Sequence, residues 1–168
     1  MANKFLKLVN GVRSEAQSVI TGVGNADAIP ALDATGRLNQ NMMPEGVVPE
    51  TVTVATSENL AIGDLVNLYD NSGTLTARKA DNSNNRPADG FVLAVTSSPG
   101  NAVVYLEGNN TGVAGKTIGG EQFLGTAGAT VEVGSLPTGA GKIVQRIGKA
   151  ISATEITFEP SDPILLIA

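Results

Sequence analysis

The feature that most constrains this chain is a succession of short apolar and β-branched segments between Thr51 and Ile167, separated by clusters of Gly, Asn, Asp, Pro and Ser. Short segments divided by turn residues, with no helical pattern between them, predict a compact antiparallel β-barrel or sandwich. The predicted strands are 51–56, 65–69, 74–78, 91–95, 102–107, 122–124, 130–133, 142–151, 155–159 and 164–167.

The first 50 residues follow a different pattern, which predicts an extended arm. Asn10 and Gly11 lie between two apolar runs and favour a hairpin of about residues 3–9 and 12–20. A short helix is the alternative, because apolar residues from Phe5 to Ile20 also fit a helical stripe. Pro44 and Pro49 then oppose regular structure. We therefore expect an arm at 1–50 and a β-domain at 51–168.

Composition excludes several classes of partner. Hydrophobic residues make up 42% of the chain, which allows a packed core, but aromatic residues make up only 4%. The net charge is −5 and the eleven Lys and Arg are scattered, so we expect no nucleic-acid partner. No stretch approaches the length of a membrane span or the core of a signal peptide, so we expect no membrane partner.

Residues that carry chemistry are scarce. The chain has no His and no Cys, which removes the commonest general base and the commonest soft-metal ligands. Residues 111–117 end like a phosphate-binding loop, but Asn110 occupies the position of its first glycine and no helix pattern follows. Glu155 and Glu159 would share one face of a strand, without a partner base. We expect that the chain is not an enzyme and that it binds no metal, no other cofactor and no small-molecule substrate.

Two further loops are rich in oxygen ligands. Residues 70–73 are the best candidate for a calcium loop but lack further spaced carboxylates. Residues 81–87 are the most polar segment, and we expect them to be an exposed loop.

Several strings resemble a known family. Residues 29–38 and 42–44 resemble the entry segment of tailed-phage virion proteins, and 61–69 resembles the strand that opens their β-domain. Residues 78–81, 87–94, 103–108 and 144–150 continue the resemblance in order. The family is the phage capsid decoration proteins, also called cement or head-fibre proteins, together with related small virion proteins.

The resemblance implies a trimer on the outside of the mature head, at three-fold and quasi-three-fold positions. The implied partners are the major capsid protein and two further copies of this chain. The implied location is the outer capsid surface of the virion, with the host cytoplasm during assembly. The family has no catalytic residues to carry over.

An arm that cannot fold alone is suited to contact the shell or neighbouring protomers. Met42 and Met43 either form an adaptable contact surface or pack on the chain's own barrel, two alternatives that the residues leave open. The predicted capsid or trimer contacts are Phe5, Leu8, Leu32, Arg37, Leu38, Met42 and Met43.

Two other functions compete with capsid decoration. A phage tail fibre, fibre adaptor or baseplate component would use similar glycine-rich β-domains. A receptor-binding module should present aromatic residues to sugars, yet the five aromatic residues after residue 50 fall inside strand patterns. An enzyme acting on polysaccharide or nucleotide has only residues 111–117 and loose carboxylates in its favour.

Overall fold

We describe the fold from a computed structural model, which covers residues 4–17, 30–32, 34, 36–39, 42–43 and 49–167. The chain divides into two compact units, Met1–Val48 and Pro49–Ala168. The described residues are mainly strands and loops, so the predicted β fold class is confirmed.

The described part of the first unit contains a β-hairpin. β1 (Lys4–Val9) pairs antiparallel with β2 (Val12–Gln17). Asn10 and Gly11 join the strands with φ of 50° and 79°, the left-handed pair that a type I′ turn requires. The hairpin prediction is therefore confirmed over the helix for residues 4–17, and the predicted end of its second strand at 18–20 lies outside the described residues.

The second unit begins with a closed five-stranded barrel. Its strands are β3 (Thr51–Thr56), β4 (Leu65–Asp70), β5 (Leu75–Lys79), β6 (Gly90–Val92) and β7 (Gly100–Tyr105). Around the barrel the strands follow the order β3-β5-β4-β6-β7. All its neighbouring pairs are antiparallel except β3 and β5, which run parallel. Directions cannot alternate strictly around a ring with an odd number of members, so at least one pair must be parallel.

The rest of this unit contains seven further strands, which are β8 (Gly108–Asn110), β9 (Glu121–Leu124), β10 (Thr130–Glu132), β11 (Ile143–Val144), β12 (Arg146–Ser152), β13 (Glu155–Phe158) and β14 (Ile164–Leu165). Five of them form an antiparallel sheet in the order β10-β9-β12-β13-β8, and β11 pairs with β14. The predicted strand 142–151 is two strands, interrupted at Gln145, and residues 108–110 form a strand that was not predicted.

Two hydrophobic cores organise the second unit, and adjacent residues on one strand serve different cores. Val66 and Val92 belong to the core of the barrel. Their neighbours Leu65 and Phe91 belong to a second core, shared with β12 and β13 of the sheet. Successive side chains of a strand point to opposite faces, so β4 and β6 are apolar on both sides. Each fully buried Leu or Phe stabilises the fold by about 1.5–3 kcal/mol.

The aromatic residues after residue 50 are part of this packing. The Phe91 ring stacks on Tyr105 at 5.4 Å and lies 5.3 Å from Phe158. Tyr69 and Phe123 are half-buried, as is Tyr105. Phe91 and Phe158 are buried and the other three are half-buried, so none of the five rings is fully exposed.

Gly148 lies where two strands of the sheet approach too closely for a side chain. A Cβ added at Gly148 would collide with the backbone carbonyl of Thr157 on β13. The register of β12 against β9 also shifts between Arg146 and Gly148. The glycine therefore allows β12 to pair with strands on both sides.

Candidate functional site

The hairpin carries two of the predicted contact residues. Phe5 and Leu8 lie on β1, at register positions opposite Ala16 and Arg13 respectively. The structure thus gives the backbone positions of Phe5 and Leu8, and their contact role stays a prediction.

The other predicted contacts follow in the same unit. Leu32, Leu38 and Met43 expose 58%, 43% and 37% of their surface. Arg37 is exposed, and Met42 is half-buried. The two methionines therefore differ in exposure, and Met43 presents more of its side chain than Met42. Exposed leucine and methionine side chains are suited to a contact surface, although single exposed apolar residues also occur on ordinary surfaces.

Two exposed apolar residues of the hairpin were missed by the sequence reasoning. Leu6 is 68% exposed and Val12 is 67% exposed. Leu6 falls outside the helical stripe that residues 5–20 also fit, so it was not singled out. A strand pattern counted back from the Asn10–Gly11 turn would have placed Leu6 on the opposite face of the strand from its sequence neighbours, residues 5 and 7.

The acidic residues do not form a metal-binding cluster within the described residues. No group of three or more carboxylates there could hold a metal ion. Asp70 accepts the N–H of Gly73 at 2.7 Å, so the candidate calcium loop is used as a turn. β13 ends at Phe158, one residue before the predicted end, but the Glu159 N–H still donates to the Ile147 carbonyl of β12 at 2.8 Å. The placement of Glu155 and Glu159 on one strand face stays a prediction.

Asp81 organises the polar loop after the barrel strand β5. Its Oδ1 accepts the N–H and hydroxyl of Ser83 at 2.8 and 2.6 Å, and its Oδ2 accepts the N–H of Ala127 at 3.1 Å. Arg86, paired with the Asp81 backbone, also forms an ion pair with Glu58 at 3.0 Å. Desolvation acts to raise the pKa of Asp81, but these donors and Arg86 together hold it below its usual value.

Asp89 lies in a network with the opposite effect on its pKa. Its Oδ2 accepts the N–H of Leu68 at 2.7 Å and the Nδ2 of Asn67 at 2.9 Å. Arg78 donates to the Asn67 side chain and lies 4.1 Å above the Tyr69 ring. Burial raises the pKa of Asp89 despite the two donors. Both aspartates therefore have structural partners.

The string that resembles a phosphate-binding loop has a structural explanation. Asn110 is fully buried, its Nδ2 donates to the Gly63 carbonyl at 2.9 Å, and its Oδ1 accepts the Gly112 N–H at 3.0 Å. A Cβ added at Gly112 would collide with the backbone of Gly63. The glycine therefore allows two backbones to touch, and residues 111–117 contain no helix whose N-terminus could bind phosphate.

The same string lines an open cavity of about 180 Å³. Lys116, Val113 and Ala114 line one part of it, and Ile62, Asp64 and residues 128–130 line the rest. The Lys116 ammonium is half-buried and donates to the Thr130 carbonyl at 3.3 Å. Burial lowers the pKa of Lys116, although the nearby Glu132 charge acts to raise it.

The carboxylates near this cavity already have partners. Asp64 pairs with Lys79 at 3.0 Å and accepts the Ala61 N–H at 2.8 Å. Glu132 accepts the N–H and hydroxyl of Thr117 at 2.9 and 3.1 Å. Accepting these two hydrogen bonds lowers the pKa of Glu132. Among the described residues, Lys116 itself forms no ion pair.

No family model matches the chain, and a search of curated proteins gives no match. The chain is similar to the crystal structure of the N base of head fiber gp8.5 of bacteriophage phi29, with 13% identity and a TM-score of 0.46. The match covers 67% of this chain and 95% of that chain, and a likeness of this size leaves function open. No helix among the described residues is long and apolar enough to cross a membrane.

Proposed function

We propose that this chain is a structural protein of a tailed-phage head, which binds the outside of the mature capsid as a homotrimer and stabilises it. The binding positions are the three-fold and quasi-three-fold sites between capsid subunits. The observation that carries the proposal is the exposure of large apolar side chains in the Met1–Val48 unit, whereas the Pro49–Ala168 unit has hydrophobic cores of its own. The resemblance of the sequence strings to decoration proteins supports the same role.

The exposed residues of the first unit supply the contact energy. Leu6, Val12 and Leu32 are each more than half exposed, and Leu38 and Met43 are partly exposed. Burying one such side chain against a partner contributes up to about 1.5–3 kcal/mol. Three copies of the unit on one trimer bind together, and their effective concentration raises the avidity by roughly 10²–10⁴-fold over one contact.

Stabilisation of the head then follows by mass action. A trimer that binds the assembled shell and does not bind separate capsid subunits shifts the equilibrium toward the shell. No catalysis is required of the protein. The structural use of Asp70, Asp81 and Asp89 in turns and strand networks is consistent with this role.

A substitution pair tests the contact surface. The triple variant Leu32→Ser, Leu38→Ser, Met43→Ser should bind undecorated capsids at least about tenfold more weakly, because it removes apolar area from the proposed contact. The matched control is Val95→Ser with Ile151→Ser, which changes exposed apolar residues of the second unit. Cosedimentation with purified capsids measures binding, and equal binding by both variants would refute the assignment.

Three further measurements test the trimer, the role of the arm and the location in the virion. Light scattering on the purified protein should give three times the chain mass of 17.1 kDa. Deletion of residues 2–45 should leave a folded β-unit that no longer binds capsids, and retained binding would exclude the arm. In virions, a ratio to the major capsid protein near one-to-one is expected. A ratio of a few per cent would instead indicate a tail fibre, fibre adaptor or baseplate component.

A further inference from the structure

The turn of the hairpin contains the one asparagine of the chain that is followed by glycine. Asn10 and Gly11 are both exposed, and apart from their chain neighbours nothing lies within 4 Å of the point where a Cβ of Gly11 would be. In a type I′ turn the hydrogen bond runs from the N–H of the fourth residue to the carbonyl of the first, here Val12 and Val9. The N–H of Gly11 therefore takes no part in the pairing of the two strands.

We propose that Asn10 is a site of spontaneous deamidation, a reaction that needs no enzyme. The backbone nitrogen of Gly11 loses its proton to hydroxide and attacks Cγ of Asn10. The N–Cγ bond forms, the Cγ–Nδ2 bond breaks, and the leaving nitrogen takes a proton from water and departs as ammonia. Water then opens the resulting cyclic imide at either carbonyl, which gives aspartate or isoaspartate at position 10.

The local structure favours this reaction at Asn10 over the other hairpin turn that contains an exposed asparagine. Gly11 has no Cβ to hinder the approach of its nitrogen. The attack requires the backbone between the two residues to rotate out of the turn, and such opening is accessible at the tip of a two-stranded hairpin. Asn71 precedes Ser72, which has a Cβ, and the Asn71 N–H and carbonyl both pair with Thr74.

The two products differ in their effect on the hairpin. Aspartate keeps the length of the backbone and tolerates a positive φ, so the turn persists with one added negative charge. Isoaspartate adds one methylene to the backbone, and a two-residue turn with that insertion no longer pairs Val9 with Val12. Because β1 carries the predicted contacts Phe5 and Leu8, the effect on capsid binding rests on the proposed function, whereas the reaction itself does not.

Peptide mapping by mass spectrometry, after incubation of the full chain at alkaline pH, tests the proposal. Trypsin cleaves after Lys7 and Arg13 and releases residues 8–13, a peptide whose single asparagine is Asn10. We expect Asn10 to gain the mass of an amide-to-acid conversion at least about tenfold faster than Asn71, which corresponds to a barrier lower by about 1.4 kcal/mol. Electron-transfer fragmentation should show isoaspartate in the same peptide.

Gly11→Asn is the matched control, because asparagine also tolerates a positive φ but adds a Cβ beside the attacking nitrogen. Its Asn10 should react about tenfold more slowly than that of the parent chain. Amide spectra of the full chain should show contacts between residues 9 and 12 in Asn10→Asp, and these contacts should be lost in the isoaspartate product.

Four results would overturn the proposal. They are equal rates in the parent and Gly11→Asn, reaction of Asn71 as fast as that of Asn10, conversion of Asn10 only when the chain is unfolded in urea, and an isoaspartate product that keeps the contacts between residues 9 and 12. The comparison of Asn10 with Asn71 is made within the parent chain, so it holds even where a variant fails to fold.

Discussion

Two buried glutamines of the second unit should respond very differently to the same substitution. Gln145 is 3% exposed and makes three hydrogen bonds through its side chain. Its Oε1 accepts the Ala88 N–H at 2.7 Å, and its Nε2 donates to the carbonyls of Ala88 and Ser161, each at 3.1 Å. The side chain thus ties the residue between β11 and β12 to Ala88 and Ser161. We predict that Gln145→Leu is strongly destabilising.

Gln122 is the matched comparison. It is fully buried on β9, but its Nε2 makes only long hydrogen bonds, at 3.5 Å to Gly120 and 3.4 Å to Glu132. Its Oε1 is buried and has no partner. Hydrogen bonds of that length contribute little, and an unpartnered buried acceptor is costly. Gln122→Leu should therefore change the free energy of unfolding by no more than about 1 kcal/mol.

The expected magnitude for Gln145→Leu follows from its three bonds. Each contributes about 1 kcal/mol net, and the orphaned Ala88 N–H adds a desolvation cost of about 1–3 kcal/mol. Ala88 is itself buried, so water cannot easily replace the lost acceptor. We expect a loss of about 4–6 kcal/mol, which corresponds to a melting temperature lowered by about 10–20 °C.

Urea denaturation followed by far-UV circular dichroism measures both changes. The chain has no Trp, so intrinsic Trp fluorescence gives no signal. Gln145→Glu is a further control, because it keeps the acceptor for Ala88 and loses the donors. Equal destabilisation by Gln145→Leu and Gln122→Leu would show that burial of the glutamine, and not its hydrogen bonding, determines the cost.

Three further predictions concern the same unit. Gly148→Ala should cost about 2 kcal/mol or more because its Cβ collides with the β13 backbone, whereas Gly134→Ala, where nothing lies within 4 Å, should change stability by less than about 0.5 kcal/mol in thermal melts. The folded pKa of Asp81 is lowered, so its charge stabilises the fold above the ordinary carboxyl pKa, and that stability is lost as pH falls through the folded value. Asp81→Asn should lower the free energy of unfolding at neutral pH by about 1 kcal/mol and flatten its decline below about pH 4, and an unchanged acid limb would contradict this. The folded pKa of Asp89 is raised, so stability falls as pH rises from the ordinary carboxyl value through the folded one, and Asp89→Asn should remove that fall in pH-dependent urea titrations. A steeper fall in the Asp89→Asn variant would refute the assignment.

Local patterns predicted the elements of the described fold well. The Asn10–Gly11 turn predicted a hairpin, and the structure has one, with both residues at positive φ. The alternation in residues 51–56 predicted β3 with its observed bounds. These features depend on side-chain periodicity and turn chemistry within a few residues, which is why the sequence contains them.

The candidate sites were less predictable because their parts are distant in sequence. Residues 111–117 were recognised as glycine-rich, but only the fold brings Lys116 together with Ile62, Asp64 and Thr130 around one cavity. The hydrogen bond between Gln145 and Ala88 joins residues 57 apart, and that between Asp81 and Ala127 joins residues 46 apart. No local pattern specifies such partners.

The sequence by itself determined that this chain is a β protein with a mostly aliphatic core, because strand periodicity, turn residues and the scarcity of aromatic residues are local or compositional. The tertiary structure decided how the strands are divided between a barrel and a sheet. Leu65 and Val66 are both apolar, so their sequence cannot show that one packs toward the sheet and the other into the barrel. That choice depends on closing a ring of five strands, which also requires the parallel pairing of β3 with β5.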